Sequence, residues 1–232
     1  MTKYIRILIM SIVTVSLVYL LNNYAKSKQH TESSSYIIEG ITPISQHPHY
    51  PTGCETVTAV MALSHIGFRI SVDEFINLYL ICDQRFYRKN FVLYGPDPFS
   101  YFVGDPRSSS SYGCMSPVIQ NALVSCVGNK NAVINTGGLT LNSLCEEYIN
   151  NNIPVILWAS IDMKPIRRGS RWILPDNSMY TWPSNEHCLL LIGYDENNYI
   201  FNDPTYGKIV SYPKKLVEKR YRKMGMQSLI LQ

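Results

Sequence analysis

The chain has no Cys-x-x-Cys pair among its six cysteines, so the usual ligand spacing of a structural zinc site is missing. It has no internal repeat at a period of roughly 20–50 residues, which excludes solenoids and propellers. Charge is sparse: 16% of its 232 residues are charged and 46% hydrophobic, so a core can form and general disorder is excluded. Positive charge is scarce where a nucleic-acid reader would need it. The formal net charge is +4, but the cations sit at the two ends. Residues 1–32 hold Lys3, Arg6, Lys26 and Lys28 against Glu32. Residues 208–223 hold seven basic groups against Glu218. That leaves 33–207 with ten basic and fifteen acidic residues, a net of −5, and nucleic acid is set aside as a partner.

A long apolar run is also absent. The longest spans residues 7–21, fifteen positions against the about 20 that a spanning helix needs. Lys3 and Arg6 before it and Asn22-Asn23 after it give the pattern of a secretory signal. A clean small-x-small cleavage site is missing too; Asn23-Tyr24-Ala25 is a poor one. Residues 1–25 are therefore read as a signal peptide or an uncleaved signal-anchor, with residues 26–35 as a polar tether. The body, 36–232, is expected outside, anchored to the cell membrane through the N-terminal helix or secreted. Flanking cations at both ends bias the orientation only weakly toward N-in. Export permits disulfides, but one working cysteine would leave five, which cannot all pair internally.

What is present reads as helices first and strands second. A strand is expected at residues 36–38, then a Pro-rich loop over 43–51. Thr52 and Glu55 have capping-box spacing before an apolar run to Ile66, closed by Gly67. Ser71 and Glu74 repeat the device and predict a second helix to about Cys82. Ser116-Pro117 opens a third to Val127, and 141–151 is a fourth. Strands are expected at 132–135, 153–160, 187–194, 199–202 and 227–231, with a basic helix over 213–224. Residues 87–112 and 161–186 read as long irregular loops, of the kind that wall binding clefts. Trp172, Tyr180 and Trp182 in the second loop suit packing or substrate pockets. The element order gives an α+β fold.

Three residues carry chemistry. Cys54 opens a helix, where free amides and the positive end of the dipole favour a thiolate. His187 heads an apolar strand, rigidly placed for general-base work. Asp203 ends the neighbouring hairpin strand and can take the imidazole N–H; Asn202 competes for that role. Each has an ordinary explanation alone: a small packed residue, a satisfied core imidazole, a strand-ending turn. Together they are more specific. His187 and Asp203 follow Cys54 by 133 and 149 residues, consistent with the roughly 130–150 of papain-type enzymes. Gln46, eight residues before Cys54, is a candidate oxyanion donor beside the Cys54 N–H.

The runs Gln46-x7-Cys54 within Tyr50-Pro51-Thr52-Gly53-Cys54-Glu55, Glu186-His187-Cys188 through Gly193-Tyr194-Asp195, and Asn202-Asp203-Pro204-x2-Gly207 resemble the papain-like cysteine peptidases of family C-thirty-nine. The likeness is to the stand-alone secreted branch; Phe102 to Pro106 and Tyr112-Gly113-Cys114 share its middle segment. The resemblance covers about 40–232. It implies a papain-like fold with the nucleophile helix packed on an antiparallel sheet. It implies Cys54 as nucleophile, His187 as base, Asp203 as orienter and Gln46 in the oxyanion hole, with no metal or organic cofactor. The substrate would be a peptide or protein. The transporter-fused branch carries an ATPase and membrane spans absent here, so leader cleavage during export is not implied. A cell-wall peptide amidase or acyltransferase, and a non-catalytic binding module, use the same shell. Sequence leaves the oligomeric state undetermined. The basic stretch 208–223 reads as a solvated helix face, with contact to anionic lipid or wall polymer as a second expectation.

Overall fold

The computed structural model describes residues 35–129 and 132–232; the apolar segment 1–25 and tether residues 26–34 lie outside them. No helix among the described residues is long and apolar enough to cross a membrane. The continuous apolar runs of the second half form the middle of a seven-stranded sheet. Its strands are β1 (Tyr36–Ile37), β6 (Val133–Asn135), β7 (Val155–Ser160), β10 (Glu186–Tyr194), β11 (Asn198–Asp203), β12 (Lys208–Pro213) and β13 (Ser228–Leu231). The order is β12-β11-β10-β7-β13-β6, with β1 on the end of β10. Every pairing in it is antiparallel. All six residues of β7 are buried, as a central strand covered on both faces requires.

The helices are α1 (Cys54–His65), α2 (Val72–Tyr79), α3 (Ser116–Val127), α4 (Leu141–Glu147) and α5 (Lys214–Lys223). Ten of α1's twelve residues are buried, so this helix is apolar nearly all round and packs as a core element against β10. Thr58 Oγ1 donates to Cys188 O at 3.1 Å and pins the two together. Capping follows sequence at α2, where Ser71 and Glu74 form the expected box. At α1 it does not. Gly53 is the N-cap without a side-chain bond, because Thr52 Oγ1 donates to Ser108 O at 3.0 Å and ties down the 104–111 loop instead. α2 also stops at Tyr79, and Cys82 lies exposed in β2 (Cys82–Asp83), which pairs with β5 (Phe102–Val103).

The two expected irregular segments are a correction. Each supplies a hairpin half of a four-stranded sheet, β3 (Tyr87–Lys89), β4 (Val92–Tyr94), β8 (Arg168–Ile173) and β9 (Met179–Pro183). These strands are short and show no apolar alternation, and β4 meets β8 only at Tyr94↔Ile173. Local pattern therefore carries no trace of them. An aromatic cluster seats the sheet on the core: Trp172 lies 5.0 Å from Tyr112, 5.2 Å from Tyr180 and 5.4 Å from Phe86. The face of α5 expected in solvent is partly internal: Arg220 is buried and its Nε donates to Met163 O at 2.7 Å. All six cysteines are unpaired.

Candidate active site

Strand register brings the histidine and the carboxylate together. Leu190 pairs with Asn202, so Asp203 lies on the same face of β10–β11 as His187, one diagonal step away. His187 Nε2 and Asp203 Oδ1 are 2.8 Å apart, and both residues are at most 2% exposed. Thr205 Oγ1 lies 3.3 Å from the same nitrogen, and among the described residues no hydrogen bond engages Nδ1. Asn202 faces the other way and donates to Ile41 O, so the orienting position belongs to Asp203 rather than to its neighbour. The Asp-Pro-x2-Gly spacing closes a turn in which Gly207 N donates to Asp203 O at 2.9 Å. Gly207 has φ +59°, and a Cβ there would lie 2.7 Å from Ser45 Cβ. Glycine is what lets this turn close on the loop that carries Gln46.

Gln46 joins the two halves. Its N–H donates to Pro204 O at 2.8 Å, and its Nε2 donates to Pro51 O at 2.9 Å. Tyr50 N bonds back to Gln46 O, and Gly53 N to Tyr50 O, which delivers the chain to Cys54. At the start of α1 the Cys54 Sγ lies within 4.8 Å of a carboxylate oxygen of Glu186, one residue before His187. A circuit of contacts and chain links thus runs from Cys54 to Glu186, along the chain to His187, across to Asp203 and Pro204, and through Gln46 to Pro51 and along the chain back to Cys54. All four residues singled out in the sequence lie on it.

Two further residues line the site. Glu55 is fully buried; its Oε1 accepts from Cys114 N at 2.6 Å and its Oε2 accepts from Cys54 Sγ at 3.4 Å. Glu186, 8% exposed, holds an Oε1 with no hydrogen-bond partner among the described residues. Ligand atoms of Cys54, Glu55 and Glu186 lie within 4.8 Å of one another, so a thiol and two carboxyls could enclose a cation. Burial pushes Glu55 up to about 7. It pushes Glu186 well above the usual carboxyl range, helped by Glu55, so Glu186 keeps its proton at neutral pH and the pair does not hold two negative charges.

The expected lowering of the Cys54 thiol is overturned. Burial, then Glu55, Glu186 and Cys188, pushes it well above its ordinary value, against the single favourable Cys188 N–H. A helix terminus supplies typically about 0.3–1 kcal/mol. Removing a thiolate from water beside carboxyls costs more. Sequence passed over Glu55 and Glu186 as acid–base groups. Their signal was position: each carboxyl is the immediate chain neighbour of a singled-out residue, at the head of an element that then runs largely apolar.

Comparison with known proteins agrees with the fold. The model of the Peptidase_C39 like family matches residues 38–229. Uncharacterized protein YvpB of Bacillus subtilis (strain 168) is 24% identical over 185 residues, 80% of this chain and 71% of that protein. A crystal structure from Bacillus anthracis, assigned as a C39-like peptidase, superposes with a TM-score of 0.74 at 22% identity, covering 85% of this chain and 97% of that one. Xylellain, a cysteine protease from Xylella fastidiosa, overlaps with a TM-score of 0.37 at 8% identity over 86% of this chain and 85% of that one. That last likeness is too remote to argue from.

Proposed function

This chain belongs to the Peptidase_C39 like family, and from that premise we propose that it is an exported cysteine peptidase hydrolysing peptide bonds through Cys54, His187 and Asp203. The observation that carries the reading is the buried 2.8 Å pair of His187 and Asp203, set in one contact circuit with Cys54 and Gln46. His187 presents Nδ1 as the base, with the proton on Nε2 held by Asp203.

The resting nucleophile is a neutral thiol, so activation is general-base rather than by a standing thiolate. His187 takes the thiol proton as sulfur attacks the substrate carbonyl and the C–S bond forms. The oxyanion is held by the Cys54 N–H, which has no intrahelical partner, and by the second Nε2 hydrogen of Gln46. Collapse breaks the C–N bond and His187 protonates the leaving amine. Water, deprotonated by His187, then attacks the thioester, releasing the acid and restoring the thiol. Residues 1–25, with Lys3 and Arg6 before the apolar run, support export and either anchoring or secretion.

Digestion of a peptide library by the full-length chain beside a Cys54→Ala control tests the reading. Products that depend on Cys54 are expected. Identical product profiles from both proteins overturn it.

A further inference from the structure

A second feature lies beside this site. A cleft of about 550 Å³ is lined by Arg167, Arg168, Arg171 and Lys223 together with Tyr180 and Trp182. That volume is in the range of ligand pockets, roughly 300–1,000 Å³. No acidic residue lines it. None of the four cations makes an ion pair, and none donates a side-chain hydrogen bond among the described residues. Like charges gathered without counter-ions repel one another, and a concave low-dielectric wall strengthens the field they share. The location sharpens the point. Residues 33–207 are net acidic, yet three of their ten basic residues fall within positions 167–171.

The backbone is built to put them there. Arg168 and Arg171 are three apart, and in a regular strand they would face opposite sides of the sheet. The register of β8 on β9 shifts between them, from Arg168↔Pro183 to Arg171↔Thr181. This irregularity returns both guanidinium groups to one cleft. Gly169 occupies the shifted stretch, where a Cβ would lie 2.9 Å from Ser184 Cβ and 3.0 Å from Trp182 O.

The cleft also opens at the catalytic end of the main sheet. β7 runs antiparallel to both β10 and β13, so those two strands start at the same end, near Glu186 and Ser228. Ser116 N donates to Gln227 Oε1 there, placing the start of α3 beside the start of β13. Cys114 N donates to Glu55, placing the start of α1 beside it too. Met115 and Gln227 line the cleft, so its floor is one residue and one hydrogen bond from the carboxyl next to Cys54.

We propose that this cleft is an acidic-peptide subsite: Arg168 and Arg171, with Arg167 and Lys223, hold Asp or Glu side chains of a substrate whose scissile bond lies at Cys54. The guanidinium fork matches a carboxylate in two parallel hydrogen bonds, and the Tyr180 and Trp182 rings pack the intervening aliphatic carbons. A concave site with aromatic walls fits a peptide side chain better than a flat lipid surface. The substrate assignment rests on the peptidase reading; the anion site does not.

The test is anisotropy of a fluorescein-labelled ten-residue Asp/Glu-rich peptide on the full-length Cys54→Ala chain. A Ser-substituted peptide and anionic phosphatidylglycerol vesicles are run beside it. The acidic peptide is expected to bind at least about tenfold tighter than the neutral one and to weaken as salt rises. Arg168→Gln with Arg171→Gln is expected to abolish the difference, and Arg→Lys at both positions to restore part of it. Equal binding of both peptides, indifference to the double Gln substitution, or binding of vesicles alone overturns the subsite. With Cys54 present, acidic peptides that bind but stay uncut overturn the peptidase reading and leave the anion site standing. Cleavage with no acidic preference does the reverse.

Discussion

Asp203 shows how much one side chain decides at this site. Its Oδ1 meets both His187 Nε2 and the backbone N–H of Thr205, so it orients the ring and braces the turn that follows. Asp203→Asn keeps the shape but can present an N–H to the ring and so select the wrong tautomer. Turnover is expected to fall roughly 10²–10⁴-fold with little change in melting temperature, read by peptide cleavage and thermal unfolding. Glu186 gives a second residue-scale prediction, with a definite sign. Its pKa and that of Glu55 are raised on folding, so between the ordinary carboxyl value of 4.5 and about 7 the folded chain binds more protons than the unfolded one. Stability from this pair is present at low pH and is lost as pH rises through that window. Glu186→Gln keeps the shape without the ionisation. Urea unfolding at pH 5 and pH 8 should show a smaller drop for the variant than for the parent. An equal drop in both proteins counts against a shared proton.

At the scale of elements, the turns and caps carry the testable content. Ser71 holds the amide of Glu74 while Glu74 holds the amide of Ser71, at the exposed start of a helix away from the site. Ser71→Ala should cost about 1 kcal/mol, roughly 2–4 °C in melting temperature, with cleavage intact. Gly207→Val asks more of its turn. A β-branched residue is strained at φ +59°, and its Cβ meets the Ser45 backbone, which belongs to the loop bearing Gln46. Activity should fall well beyond the loss of stability, measured as cleavage rate beside thermal unfolding of the same sample. Caps also show where local reading fails. The Thr52–Glu55 spacing matches the Ser71–Glu74 spacing, yet only the second pair forms a box. Thr52 is bound to the Ser108 carbonyl, and Glu55 is drawn inward to the Cys114 amide. Both are long-range partners that no four-residue window contains.

For the whole molecule, residues 36–232 form one compact unit, although they contain a large seven-stranded sheet, a small four-stranded one and the β2–β5 pair. Trp158, whose Nε1 donates to Cys114 O at 3.0 Å, reports the large sheet. Trp172, whose Nε1 donates to Pro96 O at 2.8 Å, and Trp182 report the small one. Trp158, Trp172 and Trp182 belong to one hydrophobic core, so tryptophan fluorescence and far-ultraviolet circular dichroism should follow a single coincident transition. Two separated transitions would mean that the small sheet melts alone.

Sequence by itself determined the α+β class, α1 and the strands of the large sheet other than β12, which lay unread before the basic helix. These are set by apolar runs and turn residues acting within a few positions. Spacing and motif also singled out Cys54, His187, Asp203 and Gln46, because a nucleophile and its partners need particular side chains at element ends. Only the tertiary structure decided what surrounds them. The choice of Asp203 over Asn202 came from a strand register. The burial that raises the Cys54 thiol, with Glu55 and Glu186 turned inward beside it, and the small sheet assembled from two apparent loops depend on partners far along the chain. The free energy of a buried charge, or of a short strand, is fixed by neighbours that the local chain does not encode.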